Sequence, residues 1–199
     1  VFAFADSDAR VNNNWLKHLV YPLRKTSTGA SSGYRWILPA KNNFASMLLS
    51  ILNAKVAQFL GKSLLTQAWG GSMAIRKDTF YSLELEKTWR SCISDDLSLT
   101  YAVKKNGLKL RFALGAMATT YEETSFCKLA KFARRQFIIT RKTVFSIWLI
   151  GIFSCLYAII GVWGCLILGL FKLASRPAEA AILVATSAIF IACQMLRVA

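Results

Sequence analysis

The feature that most constrains this chain is the stretch 144–171, 28 consecutive residues without a charged side chain. The hydrocarbon core of a bilayer takes roughly 20 apolar residues of helix, so this stretch is long enough to cross with tilt or with one end in the interface. A short polar turn at 172–177 follows, then a second, weaker apolar segment over 178–196 with Glu179 near its start. The sequence therefore predicts a membrane region at 144–199 with two transmembrane helices, about 144–171 and 178–196. Charge divides at the same place. Of the 25 Lys and Arg residues only Lys172, Arg176 and Arg197 lie beyond the boundary, and of the ten acidic residues only Glu179. The net charge of +15 thus belongs mainly to residues 1–143, which read as a basic folded domain joined to a membrane anchor. Its basic residues are dense just before the first span. By the positive-inside rule the domain faces the cytoplasm in an integral, multi-pass protein.

Basic charge by itself admits nucleic acid, anionic lipid or a phosphorylated substrate. Nucleic acid is set aside. No helix-turn-helix, zinc-finger or RNA-binding signature is visible, and a bilayer beside the domain accounts for the charge. The five cysteines form no CxxC pair and read as small hydrophobes in a reducing compartment. The one histidine, His18, has no ligand partner near it in sequence, which leaves no zinc site.

Within the first domain, residues 1–5 are an apolar run expected to be a buried strand. The chain opens on it without a methionine, and further strands are expected upstream. Asn12, Asn13 and Asn14 offer caps for a helix to about Arg24, and the small, polar, Gly-containing stretch 26–32 is expected to be a loop. Residues 44–60 repeat apolar side chains at helical spacing. Residues 67–76 read as a loop entering a strand, and 95–105 as a helix stopped by Asn106 and Gly107. Strands are expected at 108–114 and 118–121. The segment 125–142 combines an apolar stripe with Lys128, Lys131, Arg134, Arg135, Arg141 and Lys142. A basic amphipathic helix just ahead of a span lies most simply on the membrane interface.

Three groups of residues carry chemistry. Asp6 and Asp8 close the first strand in FADSD, where hard carboxylate oxygens can hold a divalent cation that grips a diphosphate. Turn formation is the other reading of the same pair. Asp95 and Asp96 open a helix, where an acid favours the helix dipole. Capping explains one of them, and a second acid suits a general base that takes a proton from a hydroxyl. Gly70, Gly71 and Ser72 either let backbone approach a ligand closely or simply turn into a strand.

Taken in this order, FADSDAR, WGGSMAIRKDTF, SDDLSLTYAVKKNGL, a basic helix and membrane spans resemble the family 2-type inverting glycosyltransferases, above all the ceramide glucosyltransferase group. The likeness covers about 1–143 and continues into the spans. It implies the C-terminal part of a cytoplasmic α/β domain of the GT-A nucleotide-sugar transferase type, followed by transmembrane helices. It further implies that Asp6 and Asp8 hold Mg²⁺ or Mn²⁺, that Asp96 is the base with Asp95 its acidic neighbour, and that Gly70, Gly71 and Ser72 line the sugar and acceptor pocket. The family closes its catalytic domain with a (Q/R)xxRW element. Here the region reads KFARRQF, with Arg134 and Arg135 present and Gln136 where the Trp is expected. In processive polysaccharide synthases that Trp belongs to the acceptor-sugar site, so its replacement points away from a polymerase. The arginine forks suit diphosphate oxygens, and equally the head groups met by an interfacial helix. As a whole the resemblance implies a metal-dependent enzyme that moves a hexose from a nucleotide-sugar, UDP-linked in expectation, to a hydroxyl of a membrane lipid such as ceramide, with inversion. The rival expectations are a processive polysaccharide synthase and a non-catalytic membrane scaffold.

Overall fold

Short apolar strands are stable only when a sheet pairs them, and the fold turns on which strands do the pairing. The computed structural model describes residues 1–7, 9–57, 59–61 and 65–196. The chain is mixed α/β and forms two compact units, Val1–Val144 and Phe145–Ala199.

In the first unit, β1 (Phe2–Ala5) pairs antiparallel with β4 (Ser72–Ile75), Phe2 facing Ile75 and Ala5 facing Ser72. β4 also pairs antiparallel with β2 (Thr28–Ser32), which runs parallel to β5 (Lys109–Phe112), giving the order β1-β4-β2-β5. A second, two-stranded sheet joins β3 (Arg35–Pro39) and β6 (Ala118–Glu122) in parallel, and Arg35 pairs with Glu122 across it.

β1 is half-buried rather than buried. Phe2 and Phe4 turn inward and Ala3 and Ala5 outward, as the two-residue period of a strand requires. The two rings meet Phe80 and Trp89 edge-to-face, at 5.1 and 5.2 Å between centroids. They pack against a core of Ala30, Met73, Ile75, Leu85, Leu99, Val103 and Leu110. Phe80 and Leu85 come from two short helices that sequence periodicity did not reveal, α3 (Lys77–Ser82) and α4 (Leu85–Trp89).

The segment 26–32, expected to be a loop, forms β2, and every residue of β2 is buried. Its residues are small because the interior is crowded, not because they face water. Gly33, just beyond β2, has no room for a side chain: an added Cβ would run into the Ala116 carbonyl and the Ser72 hydroxyl. Its two serine hydroxyls are satisfied inside, Ser31 donating to the Leu19 carbonyl at 2.5 Å and Ser32 to the Gly33 carbonyl at 2.8 Å, as buried polar groups generally are.

Between these strands, α1 (Trp15–Val20) and a 3₁₀ turn (Tyr21–Arg24) bury Leu19 and Leu23 against Ala74, Ala113 and Ala116. α2 (Phe44–Ala57) packs on β3, and Leu49 joins Ile37 and Leu129 in a third cluster. α5 (Asp95–Lys105) runs as expected. It ends at Asn106, and Gly107 takes the left-handed φ of 72° that glycine adopts without penalty. α6 (Phe126–Thr143) starts where the Ser125 hydroxyl accepts the Lys128 N–H.

In the second unit, α7 (Phe145–Ile159), a π-helical turn (Ile160–Gly164) and α8 (Cys165–Lys172) form one continuous helix. At 28 residues it is long and apolar enough to cross a membrane. α9 (Pro177–Leu196) packs beside α8, where Gly169 meets Val184, Leu183 and the Ala180 carbonyl. The Ser187 hydroxyl donates to the Val162 carbonyl within the π turn at 2.9 Å. In an apolar setting that bond satisfies a carbonyl in the irregular turn. Among the described residues the continuous helix Phe145–Lys172 is the one long and apolar enough to span, and α9 is apolar over Pro177–Cys193.

Candidate functional site

β1 and β4 run antiparallel, so the C-terminal end of one lies beside the N-terminal end of the other. Asp6 follows β1 directly, and its N–H reaches the Gly71 carbonyl at 3.4 Å. Gly71 leads into β4 and is buried. A Cβ there would stand within 2.5 Å of both the Trp69 ring and Asp6 Oδ2, so the ring and the carboxylate converge on the space this glycine leaves open. Asp8 lies outside the described residues.

The N-terminus of α5 meets the same three-residue segment from the other side. The Gly70 N–H donates to Asp96 Oδ2 at 3.2 Å. Both carboxylate oxygens of Asp95 stand 3.4 Å from the point a Gly70 Cβ would occupy. Asp96 is half-buried and firmly oriented: its Oδ1 accepts the Leu97 N–H at 2.7 Å and the Ser94 hydroxyl. Asp95 is exposed, and its Oδ1 accepts the Asp96 N–H at 2.9 Å. Thr100, a turn further along, accepts the Ala68 N–H at 2.9 Å and fastens α5 to the segment. Asp6 and the pair Asp95 and Asp96, far apart in sequence, thereby border the same segment, Trp69, Gly70 and Gly71.

Ser72 has a different role from its neighbours. It is fully buried, and its hydroxyl accepts Trp15 Nε1–H at 2.8 Å while donating to the Ala116 carbonyl at 2.9 Å. That hydroxyl serves packing between α1 and β4. Arg134, Arg135 and Gln136 are exposed on α6. Arg135 lies 5.8 Å over the Phe132 ring, and both arginines line a hollow with Lys131, Ile138 and Ile139. The bonds that gather Asp6, Gly70, Gly71, Asp95 and Asp96 do not include them.

Sequence reasoning missed the aromatic support of this site. Trp69 sits immediately before the glycines, and that adjacency was the available signal. Its N–H donates to the Ser32 hydroxyl at 2.9 Å, and its ring meets Tyr34 edge-to-face at 6.3 Å. Tyr34 in turn donates to the Asn53 carbonyl at 3.2 Å and accepts Asn53 Nδ2–H at 3.1 Å. Burial pushes the Tyr34 phenol well above its ordinary range, which keeps it a neutral donor beneath the site.

The donor set decides which metals are compatible. Asp6 supplies hard oxygens at the end of β1, and no cluster of three His, Cys, Asp or Glu side chains occurs among the described residues. Mg²⁺ and Mn²⁺ suit such a place, because Mg²⁺ commonly binds one or two carboxylates and completes its shell with water and substrate phosphates. No protein-family model matches the chain, and no curated protein matches it either.

Proposed function

We propose that the chain belongs to a GT-A type inverting glycosyltransferase that moves a hexose from a nucleotide-sugar, UDP-linked, to a hydroxyl of a membrane lipid such as ceramide. One observation carries the reading: Asp6, Asp95 and Asp96 gather around Gly70 and Gly71, although the chain separates them by some ninety residues. Asp6 closes β1 on one side of the two glycines, where a strand-end carboxylate suits a metal-held diphosphate, and Asp95 and Asp96 border them from the other side, where an acid suits a base.

In this scheme Asp6, with Asp8, holds Mg²⁺ or Mn²⁺, which supplies charge neutralisation to the leaving diphosphate. Asp96 accepts the proton of the acceptor hydroxyl. The bonds from Gly70, Leu97 and Ser94 fix its orientation, so its carboxylate is preorganised for that step. Asp95, exposed over Gly70, positions the sugar or the metal-bound phosphate. Trp69 offers an apolar wall beside Gly71. Arg134, Arg135 and Gln136 belong to the interfacial helix in this reading, where the guanidiniums meet phosphate-bearing head groups. The membrane helix Phe145–Lys172 keeps the enzyme at its acceptor. We further propose α9 as a second span, making the protein multi-pass, and a cytoplasmic face for residues 1–143.

The test is transfer by the full protein in detergent or nanodiscs, with a panel of nucleotide-sugars against lipid acceptors. The expected result is UDP release coupled to glycolipid formation with inverted anomeric configuration, abolished by Asp96→Asn with nucleotide-sugar binding kept. Asp95→Asn is expected to act more mildly. Turnover unchanged in Asp96→Asn but lost in Asp95→Asn would exchange the two roles. Absence of any transfer across the panel would leave the scaffold reading in its place.

A further inference from the structure

α2 presents apolar side chains on two faces. Inward, Ala45, Leu49 and Ala54 are buried, and Ser50 and Asn53 tie the helix to β3 through Ile37, at 2.8 and 3.1 Å. Outward, Phe44, Met47 and Ile51 remain 65, 42 and 49% exposed. Positions 44, 47 and 51 share one side of a helix, so they form a stripe rather than scattered residues. The helix carries a single charge, Lys55, and no acid.

Exposure alone would not say what covers the stripe. Two further observations do. α6 lies beside it, with the Phe44 and Phe126 rings 5.9 Å apart, and α6 carries Lys128, Lys131, Arg134, Arg135, Arg141 and Lys142 without one acidic residue. An apolar stripe flanked by cations matches the interface of an anionic bilayer, where methylenes take the apolar groups and head groups the charge. In addition, only Val144 separates α6 from the helix long and apolar enough to span. α6 is thus followed at once by that helix, and an α6 lying along the interface would bring Phe126 and the stripe beside it to the same lipid surface.

We propose that α2 is a membrane-inserting helix, with Phe44, Met47 and Ile51 entering the interface of an anionic bilayer while the cations of α6 rest on its head groups. The inward face of α2 gives this a consequence. Asn53 bonds to Tyr34, Tyr34 packs on Trp69, and the Trp69 ring closes on Gly71. Two aromatic side chains, Tyr34 and Trp69, thus connect the inward face of α2 to Gly71. A lipid acceptor can then offer its hydroxyl while its chains stay in the bilayer. That consequence rests on the transferase reading, whereas the docking does not.

The test uses the full chain, cysteine-free, in vesicles of phosphatidylcholine and phosphatidylglycerol. A bimane label is placed at Met47→Cys, at Ile51→Cys, or at Lys105→Cys on the exposed end of α5 as a reference. Brominated acyl chains are expected to quench the first two about twofold or more and to spare the third, with aqueous iodide doing the reverse. Iodide quenching of the stripe labels as complete as at Lys105 overturns the proposal. So does a stripe shielded from iodide yet untouched by brominated lipid, since a protein surface, such as a second copy, would then cover it. A second arm pairs Met47→Asp with Ile51→Asp. Transfer to a bilayer-held acceptor is expected to fall on the order of tenfold, with transfer to a soluble short-chain analogue retained. Equal loss on both acceptors overturns the bilayer route. If the unaltered protein transfers to neither acceptor, the transferase reading fails, and the quenching arm still decides the docking.

Discussion

Replacing Gly71 by alanine adds one methyl group at the point where the two halves of the candidate site meet. The new Cβ would stand within 2.5 Å of the Trp69 ring and of Asp6 Oδ2, and Gly71 is buried, so one of the two must move. Relieving an overlap of this kind in a packed interior costs about 1–3 kcal/mol. For a chain of this size that corresponds to a melting temperature lower by roughly 2–10 °C. The effect on chemistry should be larger, because a shift of about 1 Å in a reacting or positioning group can cost about 100-fold in rate. Gly70→Ala is the control. Its Cβ would be 3.4 Å from the Asp95 oxygens, at the edge of ordinary contact, and the Gly70 N–H bond to Asp96 survives the change. Thermal unfolding in detergent and turnover on the same samples read out both variants. Gly71→Ala should lose stability and on the order of 100-fold in turnover, while Gly70→Ala stays within about 0.5 kcal/mol of the parent. Equal behaviour of the two variants would refute the argument that Trp69 and Asp6 close on Gly71.

Three further outcomes are expected. Transfer should require Mg²⁺ or Mn²⁺ and fall to background in excess EDTA, and Asp6→Ala should lose most activity with the melting temperature kept; full activity in EDTA would remove the metal from the scheme. Tyr34 is neutral in the fold and its phenol is raised above the ordinary value of 10.0, so the unfolded chain ionises first. Its share of stability is whole below about pH 10 and declines above it, by up to about 1.4 kcal/mol per pH unit, and Tyr34→Phe should flatten that part of the denaturation profile. In the second unit, a Cβ at Gly161 would run into the Phe190 ring, so Gly161→Leu should lower the thermal stability of the helical hairpin in detergent by more than Gly151→Leu, whose site is open.

The sequence by itself determined the parts whose signals are local. A run of uncharged residues specifies an apolar helix wherever it lies, so Phe145–Lys172 was legible without any partner. The helix at Asp95–Lys105 and its stop at Asn106 and Gly107 follow from backbone chemistry within a dozen residues. The acidic pairs and the two glycines were legible as residues suited to a kind of chemistry. The tertiary structure alone decided what stands next to what. TGASS reads as a loop because small polar residues usually face water, and it became a central strand because its neighbours leave space for nothing larger. β3, α3 and α4 are too short to announce themselves by periodicity, and packing holds them in place. Ser72 looked like a partner of Gly70 and Gly71, yet side chains alternate along a strand, and its hydroxyl was turned to Trp15 and Ala116. Tyr34 carried no signal of its own, and Trp69 only its place beside the glycines, because an aromatic residue gains a role only from the group it is packed against. Nor does sequence tell how an apolar helix such as α2 is covered. Its pattern fixes which residues share a face, and the sheet beneath it decides which face is left for a partner.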